Sequence, residues 1–336
     1  MLRTNHSLRL LTVLIFSFLS CGAAADYPND SNVLEAAVFE NASPAHLRSK
    51  ISIYDLRDKS VHVVYAADRL IEAPNWSPDG KYLLANSDGR LFRFALDGTE
   101  PVSPEQIGLD SAYRCNNDHG ISPDGKRIAF SANLAPSQQS QVFIANADGS
   151  QPRLLTPKTP SYFHGFSPDG HWLAFVGQRN DKFNIFRVSA GGGEEQQLTS
   201  KAPYDDGPDY SPDGKWIYMN SNRSGSWKIW RFPADGAGSS DGKAEQLTND
   251  ELEDWFPHPS PDGKWLVFLS FPKGTEGHND RLSVQLRLMP AETQSKRALI
   301  TSLTKLFGGQ GTINVNSWSP DSTRFAFVSY ELLPQK

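Results

Sequence analysis

The sequence predicts an all-β protein, specifically a six-bladed β-propeller of four-stranded blades. The first observation is a turn motif, Ser-Pro-Asp-Gly, whose serine recurs at Ser77, Ser122, Ser167, Ser211, Ser260 and Ser319. The copies are 45, 45, 44, 49 and 59 residues apart, which is the length of one propeller blade. The second observation is the composition, since 26 glycines, 23 prolines and 11% aromatic residues suit many short strands joined by tight turns.

Each residue of the repeated turn has a physical role. Serine can bond the backbone ahead of it, proline holds φ of the second position, and aspartate suits the third. Glycine at the fourth position readily adopts positive φ and so restores the twist of the strands. Only the last copy departs from this pattern, with Ser322 in place of glycine. The motif therefore predicts six hairpins of one type.

The segments after each turn predict the remaining strands of a blade. A β-rich run follows directly, as at 215–219, and a second run comes later, as at 141–145 (QVFIA) and 184–188 (NIFRV). An Asp-Gly or Gly-Gly turn then leads to a run ending in Leu-Thr, as at 154–156. Each blade is therefore predicted as strand a, the repeated turn, strand b, a loop, strand c, a tight turn and strand d.

The two ends of the sequence predict how the ring closes. After the sixth turn, the chain has one β-rich run and ends soon after Tyr330. Before the first turn, 51–56 (ISIYDL) and 61–65 (VHVVY) resemble strands that have no blade of their own. We expect this pair to complete the last blade as strands c and d, because closure removes exposed sheet edges. The propeller is then expected within residues 34–336.

Residues 1–25 are predicted to be a secretory signal peptide. Arg3 and Arg9 give a positive start, the apolar run 10–19 follows, and 23–25 (AAA) provides a cleavage site. The run is shorter than the roughly 20 apolar residues that span a bilayer. The mature protein is therefore expected to be periplasmic or secreted, without a transmembrane segment.

Cleavage after Ala25 would leave residues 26–33 as a short leader. It would also remove Cys21 and leave Cys115 as the single cysteine, so no internal disulfide is expected. A lipoprotein anchored through Cys21 remains the alternative. The fold would then be stabilised by burial of apolar surface rather than by cross-links.

Charge and motifs exclude several functional classes. The net charge of −5 and the pI of 5.9, without a block of basic residues, argue against a nucleic-acid partner. The sequence has no G-x-G-x-x-G and no P-loop, and its G-x-S-x-G string, GSSDG at 238–242, lies in a predicted c–d turn rather than between a strand and a helix. A serine hydrolase or a nucleotide-dependent enzyme is therefore not supported.

The repeats resemble those of the TolB family of bacterial propellers. The resemblance rests on the units NWSPDGKYLLANS at 75–87 and PDYSPDGKWIYMNS at 208–221, followed by runs such as KIWRF at 228–232. It implies the propeller fold but leaves the function open, since such repeats serve binding scaffolds, peptidase accessory domains and some carbohydrate lyases. TolB itself carries an α/β domain ahead of its propeller, and this sequence offers about a dozen residues for one. A role in the Tol-Pal complex is therefore not expected.

Candidate ligand-binding residues lie just ahead of the repeated turns. In a four-stranded blade, the a–b and c–d turns lie on one face, and the b–c and d–a connections lie on the other. We call the second face the funnel face, because the inner strands start there around the central channel. The residues predicted to contact a ligand there are Asn117, Asp118, Asp205, Asp206, Trp255 and Asn316. Trp255 is the candidate for stacking on a sugar.

Three histidines at nearly equivalent inner positions are candidate metal ligands. His119 and His164 lie three residues before their turn serine, and His258 lies two before. Convergent histidines and carboxylates are what a metal or proton-transfer site requires, so these histidines could hold one divalent ion. Polar residues of inner strands also bind channel water or cap backbone groups, so a structural role for these histidines remains open.

Two functional hypotheses follow. The first is an exported propeller that binds a glycan or an envelope protein on the funnel face, without catalysis. The second comes from a partial resemblance to oligogalacturonate lyases, which implies a metal-assisted β-elimination on acidic sugars. In that hypothesis, which the resemblance implies, His119, His164, His258 and Gln310 would hold the metal, and the metal would make a proton beside the uronate carboxylate more acidic. Arg179 and Arg223 would orient the sugar, and Tyr204 or a histidine would be the base.

Overall fold

The computed structural model describes residues 47–96, 103–135, 138–292 and 299–334. Six antiparallel β-sheets make up these residues, five of four strands and one of three. The prediction of an all-β six-bladed propeller is confirmed. The predicted signal peptide (1–25) and leader (26–33) lie outside the described residues. In the parts of the chain that are described, no helix is long and apolar enough to cross a membrane.

The first three blades each follow the chain order from the channel outward. Blade one contains β3 (Glu72–Trp76), β4 (Tyr82–Ser87), β5 (Arg90–Ala95) and β6 (Glu105–Gln106). Blade two contains β7 (Arg114–Ile121), β8 (Arg127–Asn133), β9 (Ser140–Asn146) and β10 (Arg153–Leu154). Blade three contains β11 (Ser161–Phe166), β12 (Trp172–Arg179), β13 (Lys182–Ser189) and β14 (Gln196–Gln197).

The last three blades include the closure of the ring. Blade four contains β15 (Asp205–Tyr210), β16 (Trp216–Ser221), β17 (Lys228–Pro233) and β18 (Glu245–Gln246). Blade five contains β19 (Glu253–Pro259), β20 (Trp265–Phe271), β21 (Leu282–Pro290) and β22 (Thr301–Gly308). Blade six combines β23 (Arg324–Leu332) with β1 (Leu47–Asp55) and β2 (Ser60–Ala67) from the other end of the chain.

The repeated turns have the geometry that their sequence predicts. In the first copy, the Ser77 hydroxyl donates to Asp79 Oδ1 at 2.7 Å and accepts the Tyr82 amide at 3.0 Å. The turn glycines have φ between 69° and 77°. Ser322, at the glycine position of the sixth turn, is also left-handed, with φ of 60°. Its hydroxyl accepts the Asp262 amide at 2.9 Å, which links the turns of blades five and six.

The Leu-Thr pairs support outer strands that are very short. In blades two to four, strand d contains only two residues. The following threonine hydroxyl then accepts a backbone amide of strand c at 2.8 to 3.0 Å, as seen at Thr156, Thr199 and Thr248. A side chain thus replaces a ladder bond where the strand ends, which keeps a buried amide satisfied.

The predicted closure by N-terminal strands is also confirmed. β1 pairs with β23 from Leu47 opposite Leu332 to Asp55 opposite Arg324, and β2 pairs with the other edge of β1. Ile51, near the middle of β1, is fully buried. The two ends of the chain are therefore joined inside one sheet.

Blade six differs from the expectation of a regular inner strand. Its sheet has three strands, and its inner segment contributes one isolated bridge, between Trp318 and Phe325. The reason is local, because side chains satisfy the backbone of this segment. Thr312 Oγ1 accepts the Gly309 amide at 3.0 Å and Asn314 Oδ1 accepts the Gly311 amide at 2.6 Å. Two backbone bonds still join this segment to β23, from the Ala326 amide to the Ser317 carbonyl and from the Val328 amide to the Thr312 carbonyl, but they do not form a continuous ladder.

The inner strands of blades one to five are bulged just ahead of the repeated turn. The register between strands a and b shifts within the residues two to seven places before each turn serine. In three blades, the residue four places before that serine is left-handed, with φ of 56° at Ala73, 59° at Gly207 and 53° at Phe256. A bulge changes the direction of the neighbouring side chains. These bulges determine which side chains reach the channel.

Candidate functional site

A small cavity lies on the axis of the propeller at the funnel face. Its volume is about 170 Å³. Its lining contains Asp118, Tyr162, His164, Phe183, Tyr204, Asp206, Phe256, His278, Gln310 and Asn314. Five of these were predicted from the sequence, namely Asp118, His164, Tyr204, Asp206 and Gln310. They come from blades two, three, four and six, so only the closed ring brings them together.

Asp206 is the centre of the polar part of this cavity. Its Oδ1 lies 3.2 Å from His164 Nε2, and its Oδ2 lies 3.6 Å from His278 Nε2. Burial lowers the pKa of His164, but the hydrogen bond to Asp206 and the nearby carboxylates outweigh this and raise it overall. Burial likewise raises the pKa of Asp206, but the bond and charge of His164 outweigh it and lower it overall. The two therefore form a buried ion pair.

Asp118 lies in the same cavity with a weaker set of partners. Burial raises its pKa to about 6 from an ordinary value of 3.8, with the charge of His164 opposing this shift and that of Asp206 adding to it. At neutral pH the carboxylate is thus ionised in a place where ionisation is unfavourable. A positively charged ligand group would relieve that penalty.

We expect Asp118→Asn to raise the free energy of unfolding at pH 7 by about 1 to 3 kcal/mol. The pKa of Asp118 is higher in the folded protein than in the unfolded chain, so the ionised carboxylate destabilises the fold. This penalty grows above about pH 4 and is fully present above about pH 6. The penalty disappears below about pH 4, where Asp118 is protonated in both states. Urea unfolding of parent and variant between pH 4 and pH 7 measures the difference.

The matched control is Asp110→Asn, an exposed aspartate whose carboxylate accepts the Ala112 amide at 2.8 Å. Asparagine can accept the same bond, so a change below about 0.5 kcal/mol is expected. A gain from Asp118→Asn that did not shrink as the pH fell would contradict the assignment of the penalty to this carboxylate.

Tyr204 lies in an aromatic wall of the cavity. Its ring stacks on Phe183 at 4.6 Å between centroids and meets Trp227 edge-on at 5.0 Å. Burial, and then the negative charge of Asp206, raise the pKa of Tyr204 far above its ordinary value. The tyrosinate that a catalytic base requires is therefore disfavoured, and the hydroxyl suits a hydrogen-bond donor.

Five cavity residues were not among the residues predicted to form a site, and one of them is Phe256, in the bulge of β19. Tyr162 and Asn314 lie five places before their turn serine, the position that Asp206 holds in blade four. His278 comes from the b–c connection of blade five, and Phe183 begins strand c of blade three. The spacing of 59 residues between the last two turns signals the longer blade five, and the blade topology places its b–c connection on the funnel face, but neither indicates that His278 reaches the axis.

His119 and His258 lie away from the funnel cavity. His258 Nδ1 is 3.0 Å from Asp209 Oδ2, and its Nε2 donates to the Ile313 carbonyl at 2.6 Å. Asn316 donates to the same Asp209 oxygen at 2.9 Å. These bonds tie blades four, five and six together across the channel.

The four predicted metal ligands are therefore not brought together. His164 and Gln310 line the funnel cavity, whereas both ring nitrogens of His258 are occupied. His119 Nε2 donates to the Leu84 carbonyl at 3.3 Å, and burial lowers the pKa of His119 to about 4, so its ring is neutral. Within the described ranges, no three or more His, Cys, Asp or Glu side chains form a group that could hold a metal ion.

The two predicted sugar-orienting arginines bind neighbouring carboxylates. Arg179 contacts Glu195 through two parallel bonds of 2.9 and 2.8 Å. Arg223 lies 2.8 Å from Asp205 and 3.3 Å from Asp241. Neither guanidinium is part of the lining of the funnel cavity. Asp205 is thereby occupied as an ion-pair partner and is fully buried.

Trp255 and Asn117 are also engaged inside the protein. Trp255 is fully buried and packs on Trp227 with 3.9 Å between ring centroids. No face of this ring is open to the funnel, so the arrangement does not suit stacking on a sugar. Asn117 is buried and donates to Glu72 Oε1 at 3.2 Å.

The family of the chain follows from comparison with known proteins. The family model PD40, the TolB beta propeller domain, matches residues 121–304, more than half of the 336 residues. The chain belongs to this family. The resemblance of the repeats to TolB is thus confirmed.

Two similar proteins come from Agrobacterium. An uncharacterized protein of Agrobacterium fabrum is 44% identical over 284 residues, which cover 84% of this chain and 93% of the relative. A solved structure of a TolB candidate from Agrobacterium tumefaciens has a TM-score of 0.79 and 44% identity, covering 85% of this chain and 99% of that one. Both similarities extend over nearly the whole propeller.

This TolB-type propeller also shows structural similarity to an oligogalacturonate lyase solved in complex with manganese. The TM-score is 0.48 and the identity 12%, covering 81% of this chain and 72% of that chain. At this level, the similarity concerns the arrangement of strands. It carries no argument about activity or about a metal.

Proposed function

We propose that this chain is an exported ligand-binding propeller that takes a positively charged group of its ligand into the funnel cavity. The ligand would be a glycan or a cell-envelope protein. Export rests on the predicted signal peptide. The observation that carries the proposal is the charge of the cavity, which contains two carboxylates and no lysine or arginine among its described lining residues.

The balance of charge favours a cation. Asp206 is paired with His164, and burial, partly offset by the charge of Asp206, lowers the pKa of His278, so that its ring is mainly neutral. Asp118 then supplies a net negative charge near pH 7. The rings of Phe183, Tyr204 and Phe256 line the same cavity as Asp118. Aromatic faces stabilise a desolvated cation. A protonated amine fits both features.

The same balance works against an acidic sugar. A uronate carboxylate inside the cavity would meet the charge of Asp118, and no arginine is among the described residues that line the cavity. Arg179 and Arg223 bind Glu195, Asp205 and Asp241 instead. A buried charge without a partner is costly. The lyase alternative therefore has less support than binding.

The test is isothermal titration of purified residues 26–336 with four probes. Chitosan oligomers and lysine oligomers carry amines, chitin oligomers are their neutral counterpart, and galacturonate oligomers carry acids. We expect at least one amine probe to bind more tightly than the neutral and acidic probes. Asp118→Asn should weaken that binding at least about tenfold, because the carboxylate that supplies the net negative charge of the cavity is lost.

The control is Asp148→Asn, an exposed aspartate whose carboxylate accepts the Ser150 amide at 2.9 Å in a c–d turn. It should bind like the parent. Equal binding of amines by parent and folded Asp118→Asn would contradict the proposal. Cleavage of galacturonate oligomers to an unsaturated product would instead establish the lyase alternative.

A further inference from the structure

A larger groove lies beside the funnel cavity, across blades one to three. Its volume is about 670 Å³, within the usual range of small-molecule sites. Six carboxamide side chains line it, namely Asn86, Asn116, Asn133, Gln138, Gln139 and Gln178. Tyr162 lines both the groove and the cavity. A ligand could therefore occupy both at once.

The chemistry of the groove suits hydroxyl groups. The carboxamides of Asn133 and Gln178 have no hydrogen-bond partner among the described residues, so they are free to bind a ligand. A carboxamide presents donors and an acceptor on one planar group, which matches neighbouring sugar hydroxyls. Apolar side chains in the lining are few, such as Leu70 and Pro160. A peptide with apolar side chains would find little to pack against.

The groove is lined by charged groups of both signs, namely Glu72, Asp88 and Arg114, whereas the charged lining of the cavity includes the carboxylates of Asp118 and Asp206 and no lysine or arginine among its described residues. Glu72 lines the groove, and burial raises its pKa to about 7. Asn117, which precedes Asp118 in the chain, donates to Glu72 Oε1 at 3.2 Å. In the cavity, His164 is 4% exposed, and its Nδ1 has no hydrogen-bond partner. The cavity thus has a buried polar group that a ligand hydroxyl or amine could satisfy.

We propose that the groove and the cavity together bind a glycan that carries a protonated amino group. Sugar hydroxyls contact the carboxamides of Asn133 and Gln178, and the amino group enters the cavity beside Asp118 and Asp206. This inference rests on the proposed function and narrows its ligand to an amino-substituted carbohydrate.

The test compares oligomers with monomers on variants of the two parts. The double variant Asn133→Ala/Gln178→Ala should weaken binding of chitosan oligomers about tenfold, because two hydrogen bonds are lost. It should leave binding of monomeric glucosamine unchanged. The matched control is Asn146→Ala/Gln196→Ala, two exposed carboxamides outside the groove. It should bind both ligands like the parent.

The cavity variants have a different expected pattern. Asp118→Asn should weaken both chitosan oligomers and glucosamine, and it should not unfold the protein. Lysine oligomers that bind more tightly than chitosan oligomers would overturn the glycan inference while leaving the proposed function intact. Binding of no amine probe would contradict the proposed function itself. Chitosan binding that the groove variant leaves unchanged would overturn the role of the groove.

Discussion

Deleting β1 and β2, by starting the chain at Asp68, should abolish cooperative folding of the propeller. β1 pairs over nine residues with β23 on one edge and with β2 on the other. The deletion would expose the edge of β23 and the apolar side chains that pack against Ile51 in the intact protein. The loss should exceed the whole stability of a typical domain, about 5 to 15 kcal/mol. Free strand edges also promote aggregation.

Circular dichroism during urea unfolding and size-exclusion chromatography compare residues 68–336 with residues 26–336. A synthetic peptide of residues 47–67, added in trans, should restore a folded monomer, whereas a scrambled peptide should not. A monomer of residues 68–336 that unfolds in one transition, with the midpoint of the parent, would show that the closure is dispensable.

Arg287→Ala should lower the free energy of unfolding by about 3 to 5 kcal/mol, because it leaves buried carboxylates without a partner. Arg287 is buried on β21 and contacts Asp250, Ser270 and the fully buried Asp254. Burial raises the pKa of Asp254 to about 6, and the charge of Arg287 opposes that shift. Without Arg287 this pKa rises further, so the loss should shrink as the pH falls and Asp254 becomes protonated.

Urea unfolding at pH 5 and pH 7 measures both effects, with Lys273→Ala as the control. Lys273 pairs with Glu251 on the surface, and both side chains are more than two-thirds exposed. Such a pair contributes no more than about 1 kcal/mol. A loss from Arg287→Ala as small as that of the control would contradict the importance of this buried network.

The turns and the strands after them were predictable because each depends on local chemistry, and the closing pair was predictable because two strand patterns at the start of the sequence had no blade of their own. Ser77 and Asp79 bond within their own turn, and the left-handed position follows from glycine. The inner segment of blade six was not predicted as irregular. The bonds from its backbone amides to the side chains of Thr312 and Asn314 are also local. The sequence of this segment resembles that of an ordinary strand, so the pattern does not indicate these bonds.

The site was predicted only in part. Asp118, His164 and Asp206 were found because polar residues at equivalent inner positions converge in any closed ring. Arg179 and Trp255 were expected to face a ligand, and both are occupied by partners inside the protein. The partners, Glu195 and Trp227, do not belong to the repeated motif, so the repeat does not predict these contacts. Their proximity depends on how loops pack after the blades have formed.

The number of blades and the type of hairpin could be predicted because turn chemistry and strand periodicity act over a few residues. The closure of the ring could be predicted because strands without a blade of their own remained at the start of the sequence and the last blade was incomplete. Only the tertiary structure decided which polar side chains share the cavity. His164 meets Asp206 across two blades, and His278 reaches the same carboxylate from an insertion. The physical reason is that bulges in the inner strands direct these side chains, and burial and charge from other blades then determine their protonation.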